Sequence, residues 1–167
     1  DINHFFELAK ELARKNADES VMAYALKRAS SILVRKENWD CFEAHICHVA
    51  LAYPNTLQIV ARLFSTYAHA SYPINKIRLE RLINAIIQDH APFGHHSEVA
   101  WAVWICKDIG LALSEANIDL ISELQSSVCA LLLMDLQASG KLSKVPKSTY
   151  WKSLEVTEAL HGELWLL

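Results

Sequence analysis

Eight consecutive apolar residues, Val99 to Cys106, stand between the segment Gly94-His95-His96-Ser97-Glu98 and Gly110. The run is far shorter than the roughly 18 residues that a membrane span needs. A helix apolar on every side is normally buried on every side. Glu98 falls in its first turn, where a carboxylate suits the exposed N–H groups and the positive end of the helix dipole. Gly110 can take the left-handed conformation that ends a helix. The chain is therefore expected to place a central helix here, with other helices on both flanks. Trp101 and Trp104, three apart, are expected to enter one packing seam.

Helical periodicity runs through the rest of the chain, and no segment sustains strand alternation. Phe5, Leu8 and Leu12 predict a short amphipathic helix that closes near Asn16. Asp18 or Ser20 can cap a second with the stripe Met22, Ala25, Leu26, Ala29, Ile32 and Leu33, its last turn carrying Arg35 and Lys36. Asn38 is expected to cap a third, with Trp39, Phe42, Ile46, Val49 and Tyr53, stopped by Pro54. Asn55 is expected to cap a fourth, through Leu57, Val60, Phe64, Tyr67 and Ala68, stopped before Pro73. Asn75 is expected to cap a fifth, through Leu79, Leu82, Ile83 and Ile86, stopped before Pro92. Proline loses a helical hydrogen bond and clashes with the preceding turn, so these stops are firm.

After the central helix, Asn117 or Asp119 starts a segment through Leu124, Val128, Leu131 and Leu132 to Gly140, as one helix or as two broken at Ser126 and Ser127. A loop spans Gly140 to Thr149 around Pro146, and a last helix begins near Tyr150 with Leu154, Thr157, Leu160 and Leu164. Alternate helix starts are about 36–42 residues apart, the range of stacked helix pairs. The expected fold is all-α, an irregular α-solenoid or HEAT-like bundle of about eight helices in one domain over residues 1–167; a plain globular bundle has the same periodicity. Both ends read as cut, since the chain starts at Asp1 and stops at Leu167 inside an apolar run. It is expected to be a piece of a longer protein.

A net charge of −3 argues against a dedicated nucleic-acid module, which is usually basic. Cys41, Cys47, Cys106 and Cys129 lie within apolar helical patterns without C-x-x-C spacing, and read as reduced core residues of a cytoplasmic protein. No signal peptide, lipidation motif or membrane segment is expected.

Cys41, His45 and His48 share one helical face and have zinc-binding chemistry, but no fourth ligand is evident nearby. They read as a polar flank of the core stripe. His95, His96 and Glu98 lack the H-E-x-x-H pattern, and Glu98 has an ordinary place either capping the backbone N–H of His95 or facing the helix dipole. No G-x-S-x-G, phosphate loop or carboxylate motif is present, so no catalytic residue, resident metal or cofactor is assigned to this chain. Lys141, Lys144, Lys147 and Lys152 run without an acid until Glu155 and alternate with Tyr150 and Trp151. Cations beside aromatics track a nucleic-acid backbone and stack on bases, which points to contact with single-stranded DNA or RNA; a solvated loop is the plainer alternative. Lys76, Arg78 and Arg81 form a weaker cluster offset by Glu80.

The pattern Gly94-His95-x-x-Glu98-x-x-Trp101-x-x-Trp104, followed by Gly110, resembles a segment in the C-terminal helical region of defence-associated bacterial reverse transcriptases, the abortive-infection and unknown-group enzymes. Trp39 with Pro54 at the end of its helix, and the ending Glu163-Leu164-Trp165-Leu166-Leu167, add to the resemblance. It implies a HEAT-like domain that follows a polymerase domain, whose Tyr-x-Asp-Asp carboxylates hold divalent metal (Mg). This chain contains no adjacent Asp pair, so the resemblance carries over no catalytic residue. It implies instead a non-catalytic part of an RNA-directed DNA polymerase in antiviral defence, which helps form a product channel or an oligomer surface. A helical-repeat scaffold that binds a protein partner, with no polymerase attached, is the competing expectation. A small helical metallohydrolase is a third, and would need stoichiometric metal.

Overall fold

The first helix, α1 (Ile2–Asn16), opens where the Asn3 amide donates to the Asp1 carboxylate at 3.0 Å. A computed structural model of the chain describes residues 1–142. The described residues form eight α-helices and three short 3-10 turns, with no strand. They fall into two compact units, Asp1–Leu82 and a second from Ile83 onward. No described helix is long and apolar enough to cross a membrane.

The face that α1 buries differs from the expected stripe. Ile2, Phe6, Ala9 and Ala13 are buried, whereas Leu8 and Leu12 remain 50% and 43% exposed. The small Ala9 and Ala13 let neighbouring backbones approach, and Phe6 stacks flat on His45 with ring centres 4.6 Å apart. Asp18 accepts from the amide and hydroxyl of Ser20 and so opens α2 (Ser20–Ile32). This helix stops before Arg35 and Lys36, which do not form its last turn. Ile32 is exposed rather than part of the buried stripe. The Asn38 side chain takes over the connection: its oxygen accepts the Arg35 N–H at 2.7 Å, and its amide donates to the Leu33 carbonyl at 2.8 Å. Asn38 therefore pins the turn Lys36–Asn38 and makes no side-chain cap to α3 (Trp39–Ala52).

Pro54–Thr56 form a second 3-10 turn, in which Asn55 is exposed and Thr56 takes the position before α4 (Leu57–His69). The Thr56 hydroxyl donates back to the Tyr53 carbonyl at 2.7 Å, so Thr56, not Asn55, locks this start. Asn75 does cap α5 (Lys76–His90), accepting the Arg78 N–H at 3.1 Å. In the first unit α1 packs on α2 and α3, and α4 packs on α2 and α3. Its core gathers around Trp39, whose ring meets those of Phe42, Phe64, Tyr67 and Tyr72 at 4.8–6.3 Å.

In the second unit the turn Ala91–Phe93 and Gly94, at φ +71°, lead into α6 (His96–Ile109). Gly110, at φ +82°, ends it, with the amides of Gly110 and Leu111 both donating to the Cys106 carbonyl. Ser114 caps α7 (Glu115–Ser122) by accepting the Asn117 N–H, so the helix starts before the expected Asn117 or Asp119. Asn117 is instead buried, and its amide donates to Asn84. Ser126 accepts the Cys129 N–H and starts α8 (Ser127–Ala138), which makes the region two helices. Both α6 and α7 pack on α8. Loss of the Ser126 cap in Ser126→Ala should cost about 0.5–2 kcal/mol in chemical unfolding.

The central helix is not covered all round. Val99, Ala102, Val103 and Ile105 are fully buried, but Trp101 and Trp104 are half-buried and meet edge to face with ring centres 5.8 Å apart. The two indoles thus share one seam, as their spacing of three implies, without being fully buried. Trp101→Ala should therefore cost about 1–2 kcal/mol in urea unfolding, below the loss of a fully buried indole.

Candidate functional site

Asn3 on α1 and Cys41 and His45 on α3 meet at one point. The Cys41 thiol donates to Asn3 Oδ1 at 3.1 Å, and His45 Nε2 lies 2.8 Å from the same oxygen. A carbonyl oxygen only accepts, so Nε2 carries the ring proton and Nδ1 the lone pair. Burial, and then the Lys10 charge, hold the His45 pKa below its ordinary 6.5. A thiol, an imidazole and an amide are the components of a thiol hydrolase. Here, however, the amide oxygen takes both donors, and the thiol hydrogen is directed at Asn3 rather than at a base. The arrangement ties α1 to α3.

Beside it a groove of about 540 Å³ is lined by His4, Glu7, Leu8, Lys10, Glu11, Arg14, His48 and Tyr53. Lys10 pairs with Glu7 at 2.8 Å and Lys15 with Glu11 at 2.8 Å. Lys10, through its hydrogen bond and charge, holds the Glu7 carboxyl below its usual range. Its wall thus carries both charge signs and the apolar Leu8. Among the described residues no three His, Cys, Asp or Glu gather as a metal site. Cys41 and His45 turn to Asn3, and His48 lines the groove.

The folded pKa of His45 is depressed, so its contribution is present above pH 6.5 and is lost as pH falls through the folded value. Acidification below pH 6.5 should therefore cost stability through His45, and His45→Gln should flatten that part of the pH profile.

The other site expectations separate. Lys141 is half-buried, and its amide donates to the Leu136 carbonyl at the end of α8. Lys144, Lys147, Tyr150, Trp151 and Lys152 lie outside the described residues, as do the rest of the loop from residue 143 and the last helix. Glu98 sits in the first turn of α6 but does not cap His95, whose N–H donates to the His90 carbonyl at 3.1 Å. His95 and His96 are exposed. Arg78 is bound to Asp40 at 2.9 Å and stands 3.7 Å from Glu43. None of the four cysteines is in a disulfide, and burial pushes the Cys47 thiol up to about 12.

Two groups carry signals that the sequence reading passed over. Glu43 is fully buried on the Trp39–Phe42–Ile46 face, where a lone carboxylate inside an apolar stripe marks a partnered charge. His90 stands five residues before His95 across a Pro-Phe-Gly turn, and their Nδ1 atoms are 2.9 Å apart. No family model, curated protein or solved structure matches this chain.

Proposed function

We propose that this chain is the non-catalytic helical domain of a reverse-transcriptase-like protein of cytoplasmic antiphage defence, serving nucleic-acid product handling or oligomerisation. The observation that carries the reading is the Gly94–Gly110 segment, whose His, Glu and two Trp positions resemble that family. It is a helix bounded by left-handed glycines, with its two indoles paired and incompletely buried. In this reading the first unit is HEAT-like. Its hairpins α1–α2 and α3–α4 stack through α1 on α3 and α2 on α4, the neighbour-on-neighbour packing of helical repeats. The Mg-binding carboxylates belong to a polymerase domain in the same parent chain.

The test starts with the reading frame upstream of Asp1, which should encode Tyr-x-Asp-Asp. The chain alone should incorporate no labelled nucleotide, and deleting it from the parent should impair primer extension. Incorporation by the chain alone that survives repurification would contradict the reading.

A helical-repeat scaffold without a polymerase is the second reading. It is favoured by the apolar side chains that α1, α3 and α5 leave in solvent, Leu8, Leu12, Leu51 and Ile77. An upstream frame without Tyr-x-Asp-Asp supports it.

A further inference from the structure

His90 ends α5 and His95 directly precedes α6, with one 3-10 turn and the left-handed Gly94 between them. The backbone bond from the His95 N–H to the His90 carbonyl, 3.1 Å long, fixes the two residues relative to each other. Their ring centres are 5.2 Å apart and their Nδ1 atoms 2.9 Å apart. Two neutral imidazoles hydrogen-bond in this way when one carries its proton on Nδ1 and the other on Nε2. With both protons on Nε2, the same two atoms offer two lone pairs to one ion. At metal–nitrogen bonds of about 2.0–2.1 Å, nitrogens 2.9 Å apart subtend about 90° at the metal. That is the angle between adjacent ligands in square-planar and octahedral complexes, the geometries of Cu(II) and Ni(II).

We propose that His90 and His95 form a two-nitrogen clamp for a divalent transition-metal ion of the Ni(II) or Cu(II) kind. Both Nδ1 atoms bind the ion side by side. Solvent carries the single Nδ1 proton to Nε2 of its own ring, and small ring tilts that keep the two Nδ1 atoms side by side aim both lone pairs at the ion. Two metal–nitrogen bonds replace one N–H···N bond, and the neutral pair releases no net proton. No third His, Cys, Asp or Glu joins the pair among the described residues. The remaining positions are therefore filled by water or by a donor from another molecule, which makes the site open and exchangeable. His95 is exposed, and the neighbouring Phe93, its ring centre 6.1 Å from that of His95, is 74% exposed. Solvent can thus reach the ion. The clamp stands independently of the polymerase reading.

Nickel chloride is the probe, because Cu(II) would also oxidise the cysteine thiols. The whole chain is titrated by calorimetry and by ¹⁵N imidazole spectra. One ion per chain should bind, broadening the His90 and His95 ring signals before those of the other six histidines. His90→Ala and His95→Ala should each weaken binding by at least about tenfold, since even groups that only orient a ligand are worth about 10–100-fold. His4→Ala should leave binding unchanged. Even broadening over all the histidines, or full affinity in His95→Ala, would overturn the clamp. The wild-type spectra alone decide this if a variant fails to fold.

Discussion

Trp39→Ala should lower the unfolding free energy by about 3–5 kcal/mol, the loss typical of a fully buried aromatic truncated in a core that cannot close around the gap. The indole is 0% exposed at the first turn of α3. Around it stand Phe42 from the same helix, Phe64 and Tyr67 from α4, and Tyr72 from the connection to α5. The Tyr67 hydroxyl donates to the Ser30 carbonyl on α2, so the ring beside the indole is itself held in place and is poorly able to collapse into the space left. Trp39→Phe should recover part of the loss, because a smaller ring still meets Phe42 and Tyr67. Equilibrium urea unfolding measures both. A loss below about 1 kcal/mol for Trp39→Ala would mean that the first unit is not built around this ring.

Glu43→Ala should cost about 2–4 kcal/mol, combining a cavity with an orphaned backbone donor. The carboxylate is fully buried and accepts the Asn75 N–H at 3.1 and 3.3 Å, tying α3 to the start of α5. Burial raises its pKa above the ordinary 4.5, and the Asn75 bond and the Arg78 charge offset this only in part. The Trp39 indole N–H also lowers the value, though it falls outside strict hydrogen-bond geometry. A carboxyl whose pKa is raised in the fold binds its proton more tightly there than in the unfolded chain. Its contribution is therefore greatest below pH 4.5 and declines as pH rises through 4.5 to the folded value. Glu43→Gln keeps an acceptor for Asn75 without the buried charge. At neutral pH it should be within about 1 kcal/mol of wild type or more stable, as replacement of a buried charge often is, with that slope of the pH profile gone. A loss as large as that of Glu43→Ala would mean that the charge itself holds the site.

The helices were legible because proline and the capping polar residues act locally. Asn75 and Gly110 serve as their chemistry requires, and the apolar stripes of α3 and α5 are buried as their periodicity implies. What failed was the choice between faces. In α1, Phe5, Leu8 and Leu12 form the more conspicuous stripe, yet packing favoured Phe6 with Ala9 and Ala13, because close approach rewards small residues that a hydrophobicity pattern discounts. Asn38 and Asn55 looked like helix caps, but a neighbouring 3-10 turn claimed each of them. The contacts of Asn3 with His45 and of His90 with His95 were not legible for another reason. Their meeting depends on how helices cross and how a turn closes, which spacing along one helix does not encode.

The central claim is that this chain serves a polymerase by handling its nucleic-acid product, and a fluorescence-anisotropy titration with single-stranded DNA tests it most directly. The overall charge is negative and only the Lys141–Lys152 stretch is locally basic, so binding should be weak and made through phosphates. Counterion release then gives a log–log salt slope of roughly −0.7 per contacted phosphate. Neutralising Lys141, Lys144, Lys147 and Lys152 together should flatten that slope while the unfolding midpoint stays nearly unchanged. Tyr150→Ala or Trp151→Ala should remove a further 1–3 kcal/mol or so if the ring stacks on a base. An unchanged salt slope in the four-lysine variant, or no DNA binding by the unmutated 167-residue chain at low salt, would contradict the claim.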